Sequence, residues 1–146
     1  MLQIKAYQQL LEGHIYFGSA DDVEDMVCLD EVEVIVDLRA EATQCASSRP
    51  GIAWQRIPLG DDAVAQTLLL KAAIDAVVTA CRAGKRVGFH CGGGKGRTGA
   101  VAVGVLLELG ICDTLSHAEQ HARQLRPVIQ LKPPMRQSLQ TLYPHA

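Results

Sequence analysis

The sequence predicts an α/β fold, a central and largely parallel sheet flanked by helices. Three observations carry that expectation. Strand-like, β-branched runs alternate with longer segments of helical periodicity. A glycine-rich run over 92–96 separates an apolar strand-like segment from an apolar helix-like one, which is where open α/β sheets place ligand loops. The 146 residues, 48% hydrophobic and 21% charged, suit one domain with one core, spanning 1–146.

The elements follow in order. Residues 14–19 read as a first strand, closed by Gly18 and Ser19. Ser19 or Asp21 is placed to cap a short helix through Asp30. Residues 32–38 are β-branched and predict a buried strand. Residues 41–51 are polar and end in Ser48-Arg49-Pro50-Gly51, a loop, and 52–58 predict another short strand. From 63 to 83 the period is helical, with Leu68, Ala72, Ile74, Val77, Val78 and Cys81 on the apolar face and Gly84 at the C-terminal cap. Residues 86–91 predict the central strand, and 97–109 an apolar helix ended by Gly110. Ser116-His117-Ala118-Glu119 has a capping-box pattern at the head of the next helix. Its apolar positions are Leu115, Ala118, Ala122 and Leu125, and Pro127 ends it. Pro133-Pro134 predicts the start of a last helix, through Leu142.

The richest stretch is His90-Cys91-Gly92-Gly93-Gly94-Lys95-Gly96-Arg97-Thr98-Gly99. A loop entering a helix presents unsatisfied N–H groups and a partial positive charge, and so binds anions. Glycines let successive amides turn inward, which makes Gly92, Gly93, Gly94 and Gly96, with Lys95, candidate phosphate-binding positions. Arg97, six positions after Cys91, adds a planar fork suited to phosphate oxygens. The same field favours the thiolate of Cys91, an activated nucleophile beside a bound phosphate.

This run resembles the active-site loop of cysteine-dependent protein tyrosine and dual-specificity phosphatases, His-Cys-x-x-Gly-x-x-Arg-Ser/Thr. His90, Cys91, Gly94, Arg97 and Thr98 fit the pattern. The resemblance implies that Cys91 forms a phosphocysteine and that Arg97 binds substrate and stabilises the transferring group. It implies that Thr98 hydrogen-bonds the sulfur and His90 orients the loop. It extends from about Ile15, through Val36-Asp37-Leu38-Arg39, to Arg126-Pro127 and the helix after it. It implies a phosphatase-like fold, no cofactor or metal, and a phosphorylated protein or small phosphorylated molecule as substrate.

Expelling an alkoxide or phenoxide calls for a general acid. Ile57-Pro58-Leu59-Gly60-Asp61-Asp62 looks like the aspartate-bearing loop of the same enzymes, with Asp61 aligned and Asp62 the alternative. Either aspartate is also a good helix cap. Gly94-Lys95-Gly96-Arg97-Thr98-Gly99 is similar to the loop of some phosphoinositide phosphatases. Those enzymes carry a further lysine directly after the cysteine, where this chain has Gly92. A phosphoinositide or small phosphate ester is thus an alternative substrate.

Two rivals come from other classes. One is a phosphate-binding module without turnover. The other is a dinucleotide-binding protein, since 94–99 also reads Gly-x-Gly-x-x-Gly, with Glu119 at the expected distance but in a predicted helix. His117 and His121 are four apart and read as a solvated helix face rather than a metal pair. Arg39 reads either as a substrate contact or as a structural ion pair, and Trp54 as a packing group.

The formal net charge of −2 gives no reason to expect nucleic acid as a bulk partner. Cys28, Cys45, Cys81, Cys91 and Cys112 are odd in number and lack a C-x-x-C pair, which fits a reducing compartment. Cys81 and Cys112 read as small hydrophobes; Cys28 and Cys45 read as ordinary thiols, with a resolving role toward an oxidised Cys91 for one of them as the alternative. The N-terminal residues lack the pattern of a signal peptide and no apolar run is long enough to span a membrane, so a cytoplasmic protein is expected.

Overall fold

The structure is a computed structural model that describes residues 6–60 and 66–146. Its strands are β1 (Gln8–Leu11), β2 (Ile15–Ser19), β3 (Val34–Arg39), β4 (Ala53–Leu59) and β5 (Val87–Cys91). They form one sheet in the order β1-β2-β5-β3-β4. β2, β5, β3 and β4 run parallel, and β1 joins β2 antiparallel at the edge. The largely parallel sheet expected from the sequence is therefore present, with β5 at its centre.

The strand alternation sorts side chains onto two faces. Ile15, Phe17, Val34, Val36, Val87 and Phe89 pack on one face, into the main core. Phe17 and Phe89 are register partners with stacked rings 5.8 Å apart. Burying each such ring contributes roughly 1.5–3 kcal/mol. Tyr16 and Ile35 point the other way, toward Val23 and Met26 of α1 (Val23–Asp30).

The larger face is covered by α2 (Thr67–Arg82), α3 (Gly96–Glu108), α4 (Leu115–Leu125) and α5 (Pro133–Leu142). α3 is the most buried helix: from Gly96 to Leu106 only Arg97 is not buried. A sheet with helices on both faces is what near-continuous apolar strands require.

Two expectations need correction, and one strand was not foreseen. β1 is absent from the sequence reading, because Gln8-Gln9-Leu10-Leu11 lacks β-branched residues and only Leu10 of the four is buried. The buried stripe of α2 is Leu70, Ala73, Ile74, Val77, Val78 and Ala80, whereas Leu68 is 85% exposed and Ala72 exposed. Leu68-Leu69-Leu70 offers three equivalent phases, and burial in the main core selects the last. The cap of α4 is Thr114, whose hydroxyl accepts the His117 N–H at 3.1 Å, and not Ser116. Glu119 instead lies buried in ion pairs with Arg123 and Arg136, each at 3.0 Å.

Candidate active site

Cys91 ends β5, the central strand, and is 3% exposed. The chain then turns through Gly92 to Lys95 and enters α3 at Gly96. At Gly94 φ is +69°, and a Cβ there would lie 2.5 Å from an Arg126 nitrogen and 2.6 Å from the Gly18 carbonyl oxygen. Glycine is required at this position on both counts.

The orientation of the loop follows from its carbonyls. Gly92 O accepts from Ala20 N–H (3.1 Å). Gly93 O and Gly94 O accept from Arg126 (3.4 and 2.8 Å). Lys95 O accepts from the amides of Gly99 and Gln130. A trans peptide points its N–H opposite to its C=O. With these carbonyls tied outward, the amides of Gly93, Gly94, Lys95 and Gly96 turn toward the loop's interior. The result is an anion cradle made of main chain.

Arg126 is nine-tenths buried and also donates to Ala6 O and Gln8 Oε1, both at 2.8 Å. Burial lowers its pKa, while the negative partners Asp22 and Cys91 act in the opposite direction.

Thr98, in the first turn of α3, places its hydroxyl 3.1 Å from Cys91 Sγ. A hollow of about 150 Å³ opens over the sulfur, lined by Cys91, Gly93, Lys95, Gly96 and Arg97. Lys95 is exposed at its rim. Arg97 donates through Nη1 to the carbonyls of Leu38 (3.5 Å) and Leu59 (3.2 Å), at the ends of β3 and β4. It also forms a two-pronged pair with Glu41, Nη1–Oε1 2.9 Å and Nη2–Oε2 3.2 Å. That bond, above all, holds the Glu41 carboxyl down at about 2.

Beneath the loop, His90 Nδ1 lies 3.0 Å from Cys91 O and therefore carries the proton. Its Nε2 is buried without a hydrogen bond to any of the described residues, 3.7 Å from Asp37 Oδ1. Burial lowers the His90 pKa, so the ring is neutral at neutral pH. Asp37 is fully buried. Burial pushes its pKa up, but bonds from Arg39 and from the Trp54 indole N–H (3.0 Å) outweigh that, and the net direction is down. Arg39 is thus the structural ion pair of its two readings. Trp54 is more than a packing group, since it completes the shell of a buried carboxylate.

Cys91, Arg97, Thr98, His90 and the 92–96 loop lie together at the end of β5. Asp61 and Asp62 lie outside the described residues. Leu59 touches Arg97, and Gly60 N–H donates to Gln66 Oε1 at 2.7 Å. Sequence reasoning missed Glu41. The one signal was its place just after Val36-Asp37-Leu38-Arg39, a segment already singled out. Glu119 belongs to α4, so the dinucleotide reading lacks its acidic residue at a strand end. His117 and His121 meet edge-on along α4, with ring centroids 6.5 Å apart. Among the described residues, no group of three or more His, Cys, Asp or Glu side chains is placed to hold a metal. Among the same residues, no helix is long and apolar enough to cross a membrane.

The fold recurs in known phosphatases. A crystal structure of a human DUSP28 variant is 25% identical, with a TM-score of 0.82 over 94% of each chain. A mouse putative dual specificity phosphatase complexed with zinc tungstate is 20% identical, with a TM-score of 0.84 over 99% of this chain and 90% of that one. OH1 of Orf virus, described as a tyrosine phosphatase with triple substrate specificity, is 22% identical, with a TM-score of 0.75 over 94% and 86%. A sequence comparison with curated proteins finds no match. A family profile described as "Polymorphic toxin system, DSP-PTPase phosphatase" matches residues 16–111, from β2 through the loop and the end of α3. A cysteine and an arginine facing one anion-sized hollow, on this fold and within that match, leave one assignment: the chain belongs to the DSP-PTPase phosphatases of polymorphic toxin systems and is a cysteine-dependent phosphomonoesterase.

Proposed function

We propose that Cys91 is the nucleophile, Arg97 and the 92–96 amides the phosphate clamp, and Asp61 the general acid, with Asp62 the alternative. The observation that carries this reading is the shared hollow, with Cys91 Sγ at its floor, Arg97 on its wall and main-chain amides turned inward. The sulfur attacks phosphorus, and the P–O ester bond breaks as its electron pair leaves on oxygen. Asp61 gives that oxygen a proton. Asp61, now a carboxylate, takes a proton from water. The water oxygen attacks phosphorus, the P–S bond breaks, and inorganic phosphate leaves with the thiolate restored. Thr98 donates to that sulfur, and His90 holds the Cys91 carbonyl. Both support a loop that changes little between the two steps.

The substrate of this reading is a phosphorylated protein, at tyrosine or at serine and threonine, or a small phosphorylated molecule. The mouse relative is complexed with zinc tungstate, which supports an oxyanion as a ligand of this fold. The five free thiols support a reducing, cytoplasmic site of action. In Cys91→Ser, turnover of para-nitrophenyl phosphate is expected to fall at least about a thousandfold while tungstate still binds. Full activity in that variant would overturn the nucleophile assignment. Wild-type protein that binds tungstate without any turnover would instead mark a binding module.

A further inference from the structure

Glu41 is built into the rim of the anion site. The carbonyls on either side of it, Ala40 O and Ala42 O, both accept from Arg56 Nη1 of β4, at 3.1 and 3.2 Å. Three residues on, Gln44 O accepts from Arg39 Nη2 at 3.3 Å, and Ala42 itself is buried. The loop after β3 is thus clamped by one arginine from each of two strands. Its one inward-reaching carboxylate lies on Arg97, with 60% of the Glu41 side chain still exposed to solvent. Oε2 also lies 3.7 Å from where a Cβ on Gly92 would sit.

Among the described residues, the rim carries charge of both signs. The hollow holds roughly one phosphate group, and anything else the substrate carries must lie on the rim. There it meets the exposed Lys95 and the Glu41 carboxylate paired with Arg97. One phosphate ester is served by the inward amides and Arg97. A second phosphate on a neighbouring carbon would face a fixed negative charge that is half in solvent and only partly screened.

We propose that Glu41 is a specificity-determining residue: clamped on Arg97 at the rim, it makes the site select esters with one phosphate and reject those with a second phosphate alongside. This rests on the reading of Arg97 as the phosphate clamp. It also gives a physical role to the bare Gly92. A lysine side chain there would reach Glu41 and cancel its charge, and nothing in the backbone forbids one, since φ at Gly92 is not positive and the nearest atoms stand at 3.6 Å or more.

The test compares kcat/KM for a soluble inositol with one phosphate against one with two adjacent phosphates, with a phosphotyrosine peptide as reference. The ratio is formed within each protein, so any general loss of rate in a variant cancels. Wild type should prefer the single phosphate. Glu41→Gln should raise the two-phosphate to one-phosphate ratio at least about fivefold at low ionic strength, with the gain shrinking as salt is added. Gly92→Lys should move the ratio the same way, and it serves as the second arm if Glu41→Gln is inactive. An unchanged ratio in both variants means that Glu41 only orients Arg97, and overturns the proposal. A wild-type preference for two phosphates overturns it as well. Wild type that releases no phosphate even from phosphotyrosine contradicts the underlying catalytic reading first, and this proposal with it.

Discussion

Arg126 shows how one side chain shapes a site it does not enter. Its guanidinium spreads four bonds over Gly93 O, Gly94 O, Ala6 O and Gln8 Oε1 from a buried position. A lysine keeps the charge but concentrates its donors at one point, and cannot span those acceptors. Arg126→Lys is therefore expected to lower kcat/KM about ten- to hundredfold, and to lower the unfolding midpoint as well, because buried carbonyls lose partners. Steady-state kinetics and thermal unfolding check the two effects; wild-type values for both would refute the bracing role. Residues of this kind were poorly legible in the sequence. Cys91, Arg97 and Thr98 could be read because their chemistry is compressed into one contiguous run. Arg126 meets the loop from 32 residues away and Glu41 meets Arg97 from 56 residues away, so neither contact exists until the sheet has brought the loops together.

At the scale of elements, the phase of the helices decides what packs. A Cβ on Gly104 of α3 would lie 2.1 Å from Ile74 Cδ1 and 2.6 Å from its Cγ1. α2 and α3 are thus held at a separation that admits a hydrogen atom and no methyl group. Gly104→Ala should destabilise the fold by about 1–3 kcal/mol despite alanine's better helix propensity. Combined with Ile74→Ala, the loss should be clearly less than the sum of the two, as chemical denaturation of the four proteins in a double-mutant cycle would show. Additive losses would mean that the helices do not touch there. Periodicity in the sequence revealed that both segments are helical but not which leucine of Leu68-Leu69-Leu70 faces inward, because a run of identical residues carries no phase. It likewise gave no warning of β1, whose glutamines fit an edge strand and nothing more. α5, opened by two prolines that no helix interior tolerates, was legible to the residue.

The whole molecule explains why the site lies where it does. All four parallel strands end at one end of the sheet, and each delivers a piece. β2 leads to Gly18 and Ala20 under the loop, β3 to Glu41, β4 to Leu59 beside Arg97, and β5 to Cys91 itself. The fold class was legible because alternating strand and helix patterns admit few arrangements. The convergence of separate loops on Arg97 was not, since it depends on strand order, which hydrophobic pattern leaves open. The account as a whole stands on a covalent bond between phosphorus and one sulfur. Its most direct test is rapid acid quench of the wild-type enzyme during turnover, followed by mass spectrometry of its peptides. The expected result is a phosphate on Cys91, present in the first turnover and missing from Cys91→Ser. Phosphate carried by a different residue, or steady turnover with no phosphorylated peptide and undiminished activity in Cys91→Ser, would contradict it.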